Sequence, residues 1–174
     1  MSLALFQRVL GADFEILADQ VKALHLATGH RSYRGRIEAI RGRNPLALLF
    51  AWATHLPPAG TGEVEVEISA ADGQERWTRH IGGQRMSSRL WEQEGVLWER
   101  LGPVRFAYRT TAEQGMLGWR VAAVRVLALP LPARWFRQVV AHESERDGRY
   151  CFDVAACLPM IGLLVRYRGW LHVE

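Results

Sequence analysis

The feature that most constrains this chain is a series of short turn signals between segments in which apolar and polar residues alternate. The turn signals are Ala71-Asp72-Gly73-Gln74, Gly82-Gly83, Gly102-Pro103, Glu113-Gln114-Gly115 and Asp147-Gly148. Between them, alternation is clearest at residues 63–68, where carboxylates occupy one face of the predicted strand and valine or isoleucine the other. Strands joined by such tight turns pair with their neighbours, which predicts an antiparallel meander.

A long meander exposes unpaired edges unless it curls round and closes, and closure into a barrel removes those edges. We therefore predict a mainly β (α+β) fold. It is a curved antiparallel meander of about nine to ten strands that forms a lipocalin-like barrel with two N-terminal helices. The alternative is a sheet that grips a helix, but the chain shows no long C-terminal helical pattern, which favours the barrel.

The N-terminal part has a different pattern. Apolar residues at helical spacing over 3–28 predict two short helices separated by Gly11, with Asp13 as the N-cap of the second. A first strand is expected over 32–41, and Asn44-Pro45 then opens a helix over 46–56 that is apolar nearly all round. Such a helix is buried on most sides or contacts an apolar partner.

The predicted organisation is a single domain over 1–174. Its helical part spans 1–58 and includes one strand, and its antiparallel sheet spans 63–174. The later strands of that sheet are expected at 96–101, 104–109, 117–129, 135–145, 149–156 and 164–173.

Composition and cysteine usage indicate a soluble cytoplasmic protein. Hydrophobic residues make up 49% and charged residues 23% of the chain, which is ordinary for a globular domain. The N-terminus does not have the pattern of a secretory leader, and no apolar run approaches the roughly 20 residues that span a bilayer. Cys151 and Cys157 lie in one predicted strand, about 20 Å apart and too far for a disulfide, so a reducing compartment is expected.

The charge balance favours no specific nucleic-acid partner. The formal net charge is +4, but Lys22 is the only lysine and the arginines are scattered along the sequence. Phosphate-binding surfaces usually cluster their basic residues and mix the two types.

No catalytic, metal or cofactor signature stands out. The six histidines fall in separate segments without metal-ligand spacing, and no phosphate-binding glycine loop is present. Ser87-Ser88 could supply a nucleophile, but the sequence identifies no base to activate it. We interpret the two cysteines as small apolar residues. His142-Glu143 is the one adjacent acid–base pair, yet neighbours on a strand face opposite sides of the sheet. We predict no catalytic residues, metal or cofactor.

The aromatic content favours a binding role. Trp77 and Arg79 share one face of a predicted strand, so a charge lies beside a large apolar side chain. If that face is interior, the candidate ligand-binding residues are Trp77, Arg79, Phe106, Tyr108, Trp119, Glu143 and Phe152. The predicted function is a non-catalytic module that binds a hydrophobic or amphipathic small molecule, lipid-like or fatty-acid-like, whose acidic head group pairs with Arg79. Alternatively, Arg79 pairs with Glu99 or Glu143, or its face is exposed.

Several ordered motifs along the chain also match a known family. They are Leu5-Phe6-Gln7-Arg8-Val9-Leu10-Gly11, Leu56-Pro57-Pro58-Ala59-Gly60, Glu75-Arg76-Trp77-Thr78-Arg79 with Gly82-Gly83, Gly102-Pro103, Leu129-Pro130-Leu131-Pro132, Phe152-Asp153-Val154 and the closing run from Leu158 to Leu171. The chain thereby resembles the bacterial domain of unknown function numbered 4166. That family occurs alone or fused to saccharopine-dehydrogenase-like domains, whose glycine-rich dinucleotide motif is missing here. The resemblance implies no activity, but it suggests a dehydrogenase-like protein as a partner.

Two alternative functions remain open. One is an enzyme in which Arg79 holds an anionic apolar substrate and His142 or Glu143 acts as the base. The other is a structural domain that docks onto a dehydrogenase-like partner.

Overall fold

The structure is a computed structural model that describes residues 3–173. The outermost residues of the predicted 1–174 domain, Met1, Ser2 and Glu174, lie outside this range. The strands are β1 (Gly29–Arg41), β2 (Gly60–Ala71), β3 (Gln74–Ile81), β4 (Gln84–Gln93), β5 (Val96–Leu101), β6 (Val104–Glu113), β7 (Met116–Val126), β8 (Leu129–Leu131), β9 (Gln138–Arg146), β10 (Arg149–Leu158) and β11 (Gly162–Leu171). The helices are α1 (Leu5–Leu10), α2 (Asp19–His25) and α3 (Pro45–Ala53), with 3-10 helices at Gly11–Ile16 and Ala133–Phe136.

Ten of these strands close into an antiparallel barrel. Each strand pairs with its neighbour along the chain, except that β9 pairs with β7 and the short β8 lies outside against β7. The seam is made by β1 and β11, which pair from Gly35 opposite Leu171 to Arg41 opposite Val165. This confirms the predicted mainly β fold and its lipocalin-like barrel. Closure leaves the main strands with a partner on both sides, which is the physical reason a meander of this length curls.

The N-terminal helices plug one end of the barrel. Phe6, Phe14, Val21 and Leu24 are each at most 1% exposed and pack into the core that the strands enclose. The backbone N–H of Ala18 donates to the carbonyl of Gly115 at 2.9 Å, which ties the plug to the β6–β7 turn. We call this the plugged end; it also holds the β2–β3, β4–β5 and β9–β10 turns.

The helix α3 covers the opposite end, which we call the open end. Asn44-Pro45 opens it as predicted, and the Asn44 side chain caps it by accepting a hydrogen bond from the N–H of Leu46 at 2.9 Å. Ala47 and Ala51 are buried against Leu164 and Val165 of β11. The other side of α3 is bare, because Leu46, Leu48, Leu49 and Trp52 are exposed. Burial on most sides was one of the two expectations for this helix. The structure shows that α3 is buried on one side only.

Within residues 3–173, no helix combines the length and apolarity needed to cross a membrane.

Some predicted boundaries in the N-terminal part were wrong because tertiary pairing overrides local propensity. The second helix begins at Asp19 with Ala18 as its N-cap, and Asp13 lies inside a 3-10 helix. The chain is extended at Leu17, which bridges to Gly115, so the helix cannot start earlier. The first strand begins at Gly29 rather than 32, since pairing with β2 continues to that residue. The apolar helix ends at Ala53.

Later strands also differ from expectation. The strand expected over 104–109 continues to Glu113, and the last strand, expected over 164–173, spans Gly162–Leu171. The strand predicted over 117–129 ends at Val126, because Leu127 and Ala128 adopt positive φ and reverse the chain into β8. The strand predicted from Trp135 begins at Gln138, because a 3-10 turn carries Phe136 into the core, where it is 3% exposed. Both cysteines lie in β10 and are free, as the sequence indicated.

Candidate binding cavity

The barrel encloses a cavity of about 130 Å³ between the plug and α3. Its lining is mainly apolar and comes from most of the strands, with Phe50 and Leu56 contributed by the α3 region. All seven candidate residues predicted from the sequence line it: Trp77, Arg79, Phe106, Tyr108, Trp119, Glu143 and Phe152. The face of β3 that carries Trp77 and Arg79 is therefore interior, which is the condition on which the candidate set depended.

Arg79 is the cation of this lining, and its contacts leave donors free. Its Nη1 donates to Ser88 Oγ at 3.1 Å, and its Nη2 lies 3.9 Å from Glu99 Oε1, which is an ion pair but too long for a hydrogen bond. The guanidinium carbon is 5.1 Å from the centroid of the Trp77 ring. Within residues 3–173, Ser88 accepts the one hydrogen bond that Arg79 makes, so N–H groups remain for a bound acceptor.

Glu99, the partner of Arg79, is also engaged by a tyrosine. The Tyr108 hydroxyl donates to Glu99 Oε2 at 3.1 Å. Burial raises the pKa of Tyr108 well above its ordinary value, and the neighbouring Glu99 carboxylate adds to the rise, so this hydroxyl stays protonated and remains a donor. Tyr108 also packs edge-to-face on Trp119 at 5.3 Å. One of the two predicted alternatives for Arg79, pairing with Glu99, is thus present in the cavity wall.

A second polar group lies toward the plugged end, and sequence reasoning missed most of it. His25 of α2 makes a 2.6 Å hydrogen bond through Nε2 with Glu143 Oε2, and both side chains are almost fully buried. Burial raises the pKa of the nearby Tyr150 well above its ordinary value, and the Glu143 carboxylate adds to the rise. His142 is exposed on the outer surface while Glu143 faces inward, as expected for neighbours on a strand, so these two residues do not act together. The buried partner of Glu143 instead comes from 118 residues away.

Glu75 is the third interior carboxylate. Its Oε2 accepts a hydrogen bond from Trp77 Nε1 at 2.7 Å, and the side chain is buried. Burial raises the pKa of Glu75 above its ordinary value near 4.5, while the positive potential of His25 opposes the rise. Two signals in the sequence point to this group: Glu75 has the same strand parity as Trp77, and His25 falls on the apolar stripe of its helix.

Trp119 carries an unused donor. Its indole Nε1 is buried and has no hydrogen-bond partner among the described residues. A buried N–H without an acceptor costs roughly 1–3 kcal/mol, so such groups call for an explanation. Trp119 lines the cavity, but this nitrogen has almost no accessible surface, so Arg79 is the lining residue with donors available to a ligand. The wall can therefore receive a molecule that is apolar over most of its surface and has an acceptor or an anionic group.

Among residues 3–173, no three histidine, cysteine, aspartate or glutamate side chains are arranged to hold a metal ion.

The comparisons with known proteins agree with the sequence resemblance. The family model described as "Domain of unknown function (DUF4166)" matches residues 17–171, which is most of the chain. The chain belongs to this family. Among solved structures, it is similar to the crystal structure of Rv2717c from M. tuberculosis, with 12% identity and a TM-score of 0.45 over 91% of this chain and 99% of that one. A comparison with curated proteins finds no significant match.

Proposed function

We propose that the protein is a non-catalytic binding module that holds a small amphipathic molecule in the barrel interior, with the acidic group of the ligand at Arg79. The observation that carries the proposal is an apolar cavity whose cation makes one hydrogen bond and retains free donors. Pockets for small molecules are typically apolar with a few convergent polar groups that fix orientation. An anionic group at Arg79 forms charge-assisted hydrogen bonds, which are about twice as strong as neutral ones.

The volume of the cavity limits the part of a ligand that fits. A dry apolar cavity of about 150 Å³ is large enough for benzene, and the present cavity measures about 130 Å³. The cavity therefore has room for an apolar group of about the size of a benzene ring or a short alkyl chain. A longer lipid-like chain has to extend toward Phe50 and Leu56, which line the cavity from the side of α3. The proposal thus names carboxylic acids with a short or flexible apolar part as the ligand class.

The existing contacts support binding more than catalysis. Glu143 is the interior candidate for a base, but His25 already occupies its carboxylate through a 2.6 Å hydrogen bond. His142 lies outside and cannot reach the cavity. A general base needs hydrogen-bond access to the proton it removes, and neither residue presents a free, inward-facing base.

The test is to titrate the protein with matched small-molecule probes and to measure binding by calorimetry. The acids are benzoate, hexanoate and decanoate, and the neutral counterpart of hexanoate is 1-hexanol. We expect saturable binding of the acids, with hexanoate at least about tenfold tighter than 1-hexanol. Native mass spectrometry of the freshly purified protein, compared with its denatured mass, identifies any ligand carried from the cell. An empty protein that binds none of the four probes would overturn the proposal.

Variants at Arg79 separate ligand binding from structural support. Arg79→Leu removes the cation but leaves Glu99 without its ion-pair partner, which is destabilising in a buried site. The double variant Arg79→Leu with Glu99→Gln removes both charges and keeps an acceptor for Tyr108. We expect the double variant to fold and to lose about ten- to hundredfold in hexanoate affinity, while 1-hexanol binding is unchanged. Arg109→Leu, on the outer surface, is the matched control.

A further inference from the structure

The open end of the barrel has an exposed apolar rim. Three connections that are consecutive around this end contribute to it: the β7–β9 segment, the β10–β11 turn and α3. The rim consists of Leu49 and Trp52 on α3, Leu127, Leu129 and Trp135 in the β7–β9 segment, and Met160 in the β10–β11 turn. Trp52 and Leu127 are 76% and 77% exposed, and Met160 is fully exposed. Scattered exposed apolar residues are ordinary, but a group at one end of a molecule marks an interaction site.

The helix α3 connects the two sides of this rim. Its start lies near β11, where Gly42 approaches the carbonyl of Leu163, and its end lies near the β5–β6 turn, where Gly102 approaches the carbonyl of Ala53. The β7–β9 segment is joined to the same turn, because the N–H of Leu127 donates to the carbonyl of Pro103 at 3.1 Å. The segments that carry the apolar side chains are therefore joined to one another at this end of the barrel.

Positive charge is concentrated at the same end. The open-end segments, taken as residues 41–63, 81–85, 100–105, 125–138 and 158–163, contain eight arginines and one carboxylate, Glu63. The arginines are Arg41, Arg43, Arg85, Arg100, Arg105, Arg125, Arg134 and Arg137. Within residues 3–173, none of them forms an ion pair with a carboxylate. Arginines that are scattered along the sequence are gathered by the hairpin topology, which brings alternate turns to one end.

The plugged end has the opposite balance. The corresponding segments, residues 8–31, 69–76, 92–97, 111–118 and 144–150, contain ten carboxylates and six arginines or lysines. The protein is therefore polarised along the barrel axis, and a field of this kind orients a molecule toward a negatively charged surface.

We propose that the open end docks on the surface of an anionic lipid bilayer, with Trp52 and the neighbouring apolar side chains in the interfacial region and the arginines against lipid phosphates. Tryptophan and leucine beside arginine is the composition of segments that lie in the membrane interface. Juxtamembrane basic residues are attracted by anionic leaflets within about a Debye length of the surface. The aliphatic side chains favour a bilayer over a nucleic acid, since leucine and methionine offer no stacking surface to bases.

Docking would place the mouth of the cavity against the membrane, but the inference does not depend on what the cavity binds. The docking surface consists of the rim and the arginines, so vesicle binding is expected whether or not the cavity binds any probe.

Vesicle co-sedimentation tests the inference with the full chain. The vesicles are phosphatidylcholine alone, or phosphatidylcholine with about 30 mol% phosphatidylglycerol, at about 0.1 M salt. We expect binding to the anionic vesicles that is at least about tenfold tighter than to the neutral ones and that weakens as salt rises. An absence of binding to anionic vesicles would overturn the inference.

Paired variants with equal charge changes test the location of the contact. Arg134→Glu with Arg137→Glu reverses two exposed charges at the open end, and Arg109→Glu with Arg120→Glu reverses two exposed charges that are paired across the outer wall of β6 and β7. We expect the first pair to weaken vesicle binding about tenfold or more and the second by less than about twofold. Equal losses would show that net charge alone drives binding, which contradicts a docking end.

The apolar contribution is tested separately. Trp52→Ser should weaken vesicle binding, whereas Met116→Ser, at an exposed apolar residue of the plugged end, should not. Circular dichroism checks that each variant is folded. If duplex DNA or RNA binds through Arg134 and Arg137 and vesicles do not, the surface recognises a nucleic acid and the inference is wrong.

Discussion

At the scale of single residues, the interior charges are arranged in two groups. Arg79, Glu99 and Tyr108 form one group in the wall of the cavity, and His25 and Glu143 belong to the other, toward the plug. Strand parity predicted that Trp77 and Arg79 share one face of their strand, and the fold places that face inside the barrel. It could not supply the partner of Glu143, because His25 lies 118 residues away and only the folded plug brings the two together.

Glu75 gives a residue-scale prediction about pH. The pKa of Glu75 is raised in the folded protein, so the folded state binds this proton more tightly than the unfolded chain does. The free energy of unfolding should therefore fall as pH rises from the ordinary value near 4.5 through the raised value. Glu75→Gln keeps an acceptor for Trp77 and removes the titration.

The variant is therefore expected to show a flatter pH profile and to gain about 1 kcal/mol relative to the parent at neutral pH. Urea unfolding between about pH 5 and pH 8 measures this, with Glu113→Gln at an exposed carboxylate as the control. A variant whose profile follows that of the parent would show that Glu75 does not titrate differently in the two states.

At the scale of secondary structure elements, the turn signals predicted the hairpins, and the barrel closes through the β1–β11 seam. Gly35 lies on this seam, where the backbones approach so closely that a Cβ would come within 1.8 Å of the carbonyl oxygen of Trp170. The sequence shows Gly35 and Gly169 as interruptions of strand patterns. The need for glycine at these two positions becomes apparent only in the closed barrel. It arises from the pairing of the first and last strands, which are the most distant pair in the chain.

Gly35→Ala should therefore destabilise the protein by about 2–4 kcal/mol, because the methyl group forces the seam apart. Gly62→Ala on β2 is the matched control, since a Cβ there meets no atom within 4 Å and the change should stay within about 0.5 kcal/mol. Urea unfolding of both variants compares them directly. Equal losses of stability would show that the seam is not the constraint.

At the scale of the whole molecule, the chain forms a closed barrel with one plugged, acidic end and one open, basic and apolar end. The sequence predicted the barrel from its turns and local alternation, and the alternation grouped the aromatic residues on shared faces without showing which face is interior. It did not predict the polarity along the axis, since arginines that are far apart in sequence share one end only after the strands alternate in direction. The proposed ligand site lies in the interior of this barrel, and the proposed membrane-docking surface lies at its open end.

The most direct test of the binding proposal uses the indole N–H signals of the tryptophans in a two-dimensional NMR titration with hexanoate. Trp77 and Trp119 line the cavity, whereas Trp52 and Trp135 lie outside on the rim. We predict saturable shifts of the Trp77 and Trp119 signals with hexanoate, much smaller shifts with 1-hexanol, and no shift in the Arg79→Leu, Glu99→Gln double variant. Shifts confined to Trp52 and Trp135, or no shift at millimolar hexanoate, would contradict a ligand site inside the barrel.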